Sequence, residues 1–197
     1  MGYEIIAASC VSFIIGSIPT GLLIARAKGI DLRKVGSGNI GATNVMRAVG
    51  KKAALFTLIG DIAKGIVPVV ITKALAFDPL YAGISGISAI LGHNFSIFLK
   101  FKGGKGVATS IGVVLALSPH VGLFTVIMWL MTAKWTRYSS LSALVAFGLL
   151  PLSFYLIDHS RQNIIFGAII ALLIFIRHTA NIKRLVQGTE TKIGQKV

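Results

Sequence analysis

Acidic residues are scarce in this chain. Only 6 of its 197 residues are Asp or Glu, against 20 Lys and Arg, which leaves a net charge of +14. Charged residues of both signs make up 13%, about half the share usual in soluble domains. The one cysteine, Cys10, lies in an apolar run, which excludes an intrachain disulfide and a cysteine metal cluster. No two histidines stand at metal-ligand spacing with a carboxylate, so no metal site is expected, and no cofactor. A Gly-x-Ser-x-Gly elbow is missing, which removes that class of serine hydrolase. There is no solenoid-type repeat, no low-complexity segment and no internal symmetry strong enough to argue an inverted-repeat transporter. The first residues carry no basic run ahead of the first apolar stretch, so that stretch is expected to be a retained helix rather than a signal peptide.

What is present is apolar. Hydrophobic residues reach 54% and the mean hydropathy is +0.81, the composition of an integral membrane protein and of a single domain, residues 1–197. In that setting the excess positive charge points to lipid headgroups or phosphorylated substrates and not to nucleic acid. Apolar stretches cover residues 5–25 (kinked at Pro19), 53–72, 80–99, 107–133, 139–157 and 163–176. The fourth is interrupted at Ser118-Pro119-His120. Read as one helix it gives six spans, with 11 basic residues inside and 8 outside when the N-terminus is outside. Read as two short helices of about 12 and 13 residues, each roughly 18–20 Å long, it gives seven spans, with 17 basic residues inside and 2 outside. The positive-inside rule selects the second arrangement. The expected fold is therefore an all-α polytopic transmembrane bundle of seven spans, two of them short, with the N-terminus outside and the C-terminus cytoplasmic. Short helices suit a site recessed into the bilayer. Asp61 and Lys64, three apart within the second span, are expected to form an ion pair that fixes the bundle.

Three inner segments carry the polar chemistry. Residues 35–52 read VGSGNIGATNVMRAVGKK. Here Ser37, Asn39, Gly41, Ala42, Thr43 and Asn44 offer short donors and open backbone, Thr43 or Asn44 can cap a helix, and Arg47 can clamp a phosphate in bidentate fashion. Residues 92–110 read GHNFSIFLKFKGGKGVATS. Lys102, Gly103, Gly104, Lys105 and Gly106 are read as a phosphate-binding loop opening a helix, with glycine N–H groups and lysine charge facing the anion. Leu99 stands where a Walker A loop needs its first glycine. His93 lies close enough to join this loop. Residues 176–190 read IRHTANIKRLVQGTE. His178 and Asn181 share a helical face, and Glu190, the one acid of the tail, is expected to pair with a nearby cation. His120 and His159 fall in outer turns and are expected to be solvated.

Taken together, GSGNIGATN, GHNFSIFLKFKGGKGVAT and RHTANIKRLxxGTE, in this order and spacing, resemble the three signature motifs of the bacterial acyl-phosphate:glycerol-3-phosphate acyltransferases. The dyad of the soluble-faced glycerolipid acyltransferases, a histidine with an aspartate five positions on, is absent. The resemblance implies a multi-pass enzyme of the bacterial inner membrane with its active site on the cytoplasmic face. It implies transfer of a fatty acyl group from acyl phosphate to the sn-1 hydroxyl of glycerol 3-phosphate, giving lysophosphatidic acid and phosphate, the first step of bacterial phospholipid synthesis. Membrane lipid is the remaining partner, and no protein partner is required. On this reading Lys105, Arg47, His178 and Asn181 are catalytic. Ser37, Asn39, Gly41, Ala42, Thr43, Asn44, His93, Lys102, Gly103, Gly104, Gly106, Thr189 and Glu190 bind substrate. A transporter of phosphorylated solutes is the alternative. It should place polar groups along a path through the bilayer, whereas here they collect on one face.

Overall fold

The computed structural model describes residues 2–75 and 78–195 and is helical throughout, with no strand among the described residues. Of the expected outer turn 73–79, Ala76 and Phe77 lie outside the described residues, as does Lys196 of the basic tail. The helices are α1 (Gly2–Ser17), α2 (Thr20–Arg26), α3 (Ala42–Ala48), α4 (Lys51–Ala74), α5 (Pro79–Asn94), α6 (Val107–Leu117), α7 (Pro119–Thr136), α8 (Ser139–Gly148), α9 (Leu150–Ser153), α10 (Arg161–Arg177) and α11 (Thr179–Val186). Among the described residues, three spans are long and apolar enough to cross a membrane, and up to five if each bent pair counts as one.

Proline places two of the breaks in the apolar stretches. Pro19 does more than kink the first span: α1 stops at Ser17 and α2 starts at Thr20, because a proline supplies no N–H to the preceding turn. The carbonyls exposed by this break are met by side chains from elsewhere. Ser96 Oγ donates to the Ser17 carbonyl at 2.5 Å and Lys64 Nζ to the Ile18 carbonyl at 2.8 Å. Pro119 separates α6 from α7, as the sequence break predicts. However, α6 has 11 residues and α7 has 18, so only the first of the pair is short. Lys73 Nζ caps the C-terminus of α6 by donating to the Ala116 and Leu117 carbonyls at 2.6 and 3.0 Å. The stretch expected as one helix over residues 139–157 is bent by 42° after Gly148 and closes in a wide π-type turn over Phe154–Asp158. The helix expected within residues 26–52 forms as α3 and carries Arg47, but its N-cap is Gly41. Thr43 and Asn44 lie inside the helix and cap nothing. His120 and His159 are exposed, as expected.

Lipid tails are as apolar as leucine, so packing and not apolar burial alone must hold such helices together. The contacts show how. A Cβ on Gly16 of α1 would sit 2.0 Å from the Ala89 carbonyl oxygen of α5, and one on Gly92 of α5 would sit 2.1 Å from the Phe13 carbonyl oxygen of α1. The same reciprocity joins α4 and α6 through Gly65 and Gly112. A filled core completes the bundle, with Phe147, Phe154, Leu150, Ile170 and Ile90 fully buried between α5, α6, α8, α9 and α10. Asp61 and Lys64 form the expected ion pair, 2.9 Å apart and both buried. The result is a tight scaffold with one end left open, where α3, the start of α6 and the tail meet.

Candidate active site

The open end encloses a cavity of about 860 Å³. Its polar wall takes Ser37, Asn39, Gly41, Ala42, Thr43, Asn44 and Arg47 from the first segment, His93, Lys105 and Gly106 from the second, and His178, Asn181 and Glu190 from the third. Its apolar wall is made by Leu55, Leu58, Ile62, Ile111, Val126, Trp129 and Leu130 of α4, α6 and α7. Segments more than 100 residues apart in sequence thus meet around one space, polar at one side and oily at the other.

The tail supplies a continuous hydrogen-bond chain. Lys105 Nζ donates to Asn181 Oδ1 at 2.5 Å, and Asn181 Nδ2 donates to Glu190 Oε1 at 2.6 Å. Ser140 Oγ donates to the same oxygen at 2.6 Å, and Arg184 Nε donates to Oε2 at 2.7 Å. Burial pushes the Glu190 carboxyl up, but the bonds from Ser140, Asn181 and Arg184 outweigh it and hold the pKa below the ordinary value. Lys105 is pulled down to about 8, first by burial and then by Arg184, Arg177 and Arg47, with Glu190 acting in the opposite direction. His178 caps the junction between α10 and α11. Its Nδ1 lies 2.8 Å from the Ile174 carbonyl, which can only accept, so Nδ1 carries the proton and Nε2 presents a lone pair. Burial, helped by the charge of Lys105, lowers its pKa to about 4, so the ring is neutral near pH 7.

The second segment differs from expectation. Gly103 and Gly104 do not aim their N–H groups into the cavity. They donate to the carbonyls of Asn94 and His93 at 3.1 and 3.0 Å. Arg177 then grips the Gly104 carbonyl through Nε at 3.1 Å and Nη2 at 2.9 Å. The two glycines are needed for close approach: a Cβ on Gly104 would lie 2.2 Å from His93 Nε2 and one on Gly103 2.0 Å from the His93 carbonyl. Their role is to fold the loop onto the end of α5 and so aim Lys105. Lys102 points away, exposed, with its carbonyl accepting from Arg33. Thr189 is also off the main cavity and lines a smaller polar one of about 650 Å³ beside Arg137 and Lys192.

Two further residues carry structural duties beside their place on the wall. Asn44 accepts from Ser37 N at 3.0 Å and donates to the carbonyls of Leu32, Val35 and Asn39, so it shapes the first loop. Arg47 Nη2 donates to the Thr191 and Lys192 carbonyls at 3.3 and 3.2 Å, strapping the tail across the mouth. Sequence reasoning passed over Ser139 and Ser140. The two serines follow the polar turn at Arg137-Tyr138, on the same face as the other segments, and that position was the available signal. Thr43 Oγ1 lies 3.2 Å from Ser139 Oγ.

A membrane-embedded helical bundle with a cationic, hydrogen-bond-rich pocket opening onto an apolar groove defines an enzyme that joins a charged polar molecule to a lipid chain. The comparisons with known proteins make this specific. The family model for glycerol-3-phosphate acyltransferase matches residues 6–188, and the chain belongs to that family of acyltransferases. A glycerol-3-phosphate acyltransferase of Thioalkalivibrio sulfidiphilus is 46% identical over 186 residues, 94% of this chain and 92% of the relative. One from Mesorhizobium japonicum is 46% identical over the full length of both. The solved structure of PlsY, an integral membrane glycerol 3-phosphate acyltransferase, in its glycerol 3-phosphate form superposes with a TM-score of 0.92 at 40% identity, over 97% of this chain and 96% of that one. Its lysophosphatidic acid form gives 0.90 at 38% identity, with the same coverage.

Proposed function

We propose that the chain transfers a fatty acyl group from acyl phosphate to the sn-1 hydroxyl of glycerol 3-phosphate, at the cytoplasmic face of a bacterial inner membrane, through a seven-span bundle with its N-terminus outside. The observation that carries this is the joining of a cationic wall (Lys105, Arg47) and an apolar wall (Leu58, Ile111, Trp129) in one cavity. Both substrates bear phosphate, each near −1.5 to −2 by analogy with a monoester. Cations in a poorly hydrated pocket offset their repulsion.

Lys105 holds the glycerol 3-phosphate phosphate, and Asn181 with Glu190 keeps that lysine charged and aimed. Arg47, Ser37 and Thr43 contact the phosphates from the opposite wall. His178 accepts a hydrogen bond from the attacking hydroxyl through Nε2 and so orients it. The hydroxyl oxygen forms the new ester bond at the acyl carbon, and the carbon–oxygen bond to phosphate breaks with its electron pair. An acyl phosphate is already activated, so no acyl-enzyme is needed and positioning supplies much of the acceleration. With His178 lowered to about 4, a phosphate oxygen, whose second pKa is about 6, is the stronger base and takes the proton. The fatty chain lies along the groove between α4 and α7.

The test is release of inorganic phosphate and formation of lysophosphatidate when purified protein meets both substrates. No phosphate release overturns the reading. A reporter fused after Val197 and found outside the cell overturns the topology.

A further inference from the structure

Arg177 stands outside the cavity wall and is built into the site from behind. It is the last residue of α10, half-buried, and directly precedes His178. Its guanidinium leaves its own helix for a loop far away in sequence. Nε and Nη2 donate to the Gly104 carbonyl at 3.1 and 2.9 Å, and Nη2 reaches the Gly103 carbonyl at 3.4 Å. The ring of Phe95, just past the end of α5, covers the guanidinium with its centroid 5.3 Å away. These partners are all uncharged, so the residue serves here through its planar fork of donors and not through an ion pair. A cation that only complemented the C-terminal end of α10 would have no need of this reach.

The two ends of this link fall beside the two residues that grip the acceptor. Gly104 is the chain neighbour of Lys105, and Arg177 that of His178, with neighbouring Cα atoms about 3.8 Å apart. Neither end is free to drift. The buried Gly104 peptide is held from its other side, its N–H donating to the His93 carbonyl at 3.0 Å. His178 is fixed to the Ile174 carbonyl. The Lys105 ammonium has a separate tie, to Asn181 of α11. One tie thus sets the tip of Lys105 and the other its main chain. Glycerol 3-phosphate, with its phosphate on Lys105 and its reacting hydroxyl on His178, spans the two residues. The distance between them must therefore match the length of the acceptor.

We propose that Arg177 is a positioning residue: by bonding the Gly104 carbonyl it fixes the spacing of Lys105 and His178, and that spacing selects the length of the acceptor and aligns its hydroxyl for attack. This rests on the acyltransferase reading above. The link governs alignment and does not itself hold the phosphate, so its loss is felt in kcat more than in KM. A misplacement of about 1 Å costs on the order of 10² in rate.

The experiment compares Arg177→Gln and Arg177→Lys with wild type, as purified full-length protein with acyl phosphate as donor. Two acceptors are used: glycerol 3-phosphate and 3,4-dihydroxybutyl phosphate, which carries one more methylene between phosphate and diol. Wild type is expected to favour glycerol 3-phosphate by at least about tenfold in kcat/KM. Arg177→Gln is expected to lose about 10² in kcat with glycerol 3-phosphate, to keep KM within about threefold and to treat the two acceptors alike within about threefold. Arg177→Lys keeps the charge but has no fork, and is expected to lose about tenfold in kcat and to discriminate less than wild type. Wild-type discrimination retained in either folded variant overturns the proposal. So does a loss in Arg177→Gln carried by KM alone, or equal use of both acceptors by wild type. No phosphate release by wild type with glycerol 3-phosphate is a separate result: it overturns the acyltransferase reading, and this inference falls with it.

Discussion

Glu190 and Asp61 put two carboxylates on the wall of one cavity, and they are built in opposite ways. Both oxygens of Glu190 accept, from Ser140, Asn181 and Arg184, and the cluster sits on tail and helix ends at the mouth. Asp61 lies inside a membrane-length helix, its Oδ1 held by Lys64 at 2.9 Å, and that lysine is in turn tied to the Ile18 carbonyl at the break between α1 and α2. A saturated network holds its members still and transmits that stiffness to Lys105. A single ion pair sealed among the helices fixes the scaffold behind the cavity instead. The difference teaches that carboxylates around such a pocket divide into those that aim a substrate-facing cation and those that lock the helices behind it, and that the partners of each carboxylate tell them apart where residue type does not.

The largest effect should come from the point where the saturated network meets substrate. Lys105→Ala removes the buried cation that the Glu190 cluster aims. We expect kcat/KM for glycerol 3-phosphate to fall by about 10²–10³, chiefly through a raised KM. Steady-state assays varying each substrate in turn check this. A change confined to acyl-phosphate dependence would reassign Lys105 to the donor and break the division proposed here.

Next comes Glu190→Gln, which keeps the shape but deletes the charge. A fall of about tenfold is expected, the loss of one charge-assisted contact. The pH profile gives a sharper reading. Lys105 titrates at about 8 in the intact cluster, below its usual 10.5 because burial and neighbouring arginines favour the neutral form. Its charge is present below pH 8 and lost as pH rises through that value. Wild-type kcat/KM should therefore fall on the alkaline side of about pH 8. Glu190 supports the charged form, so its neutralisation should move that limb to lower pH. The neutral His178, with a pKa of about 4, should add no limb between pH 6 and 7. An inflection there that vanishes in His178→Ala would restore the imidazole as base.

Much of this was legible in the sequence, and the exceptions have physical causes. The apolar helices, their break at Pro119 and the gathering of three polar segments follow from hydropathy, proline and the glycine-rich polar composition of those segments. The pairing of Asp61 with Lys64 follows from the cost of a lone charge in a bilayer helix. What the sequence could not show is direction. The Gly103-Gly104 pair could offer N–H groups to an anion or let two backbones touch, and only the bonds to Asn94 and His93 reveal that it does the second. Asn44 looks like a ligand in the same way, until its side chain is found closing the loop from Leu32 to Asn39. Small polar residues serve backbone and substrate with the same atoms, so composition alone does not separate the roles.

The smallest expected effect separates them within a single motif. Lys102 and Lys105 stand three apart in FKGGKG, with the same charge and the same apparent purpose. In the structure Lys102 is exposed, and its link to Arg33 uses its main-chain carbonyl, which a side-chain truncation leaves in place. A screened surface charge contributes little to binding at a distance. Lys102→Ala should then change kcat/KM by no more than about twofold, beside the loss of 10²–10³ for Lys105→Ala. Assaying the pair at low and physiological ionic strength tightens the comparison, since any steering by Lys102 would fade with salt while the buried contact of Lys105 would not. A large, salt-independent loss in Lys102→Ala would mean that the loop turns over on binding substrate, and that the glycines hold it in a second arrangement.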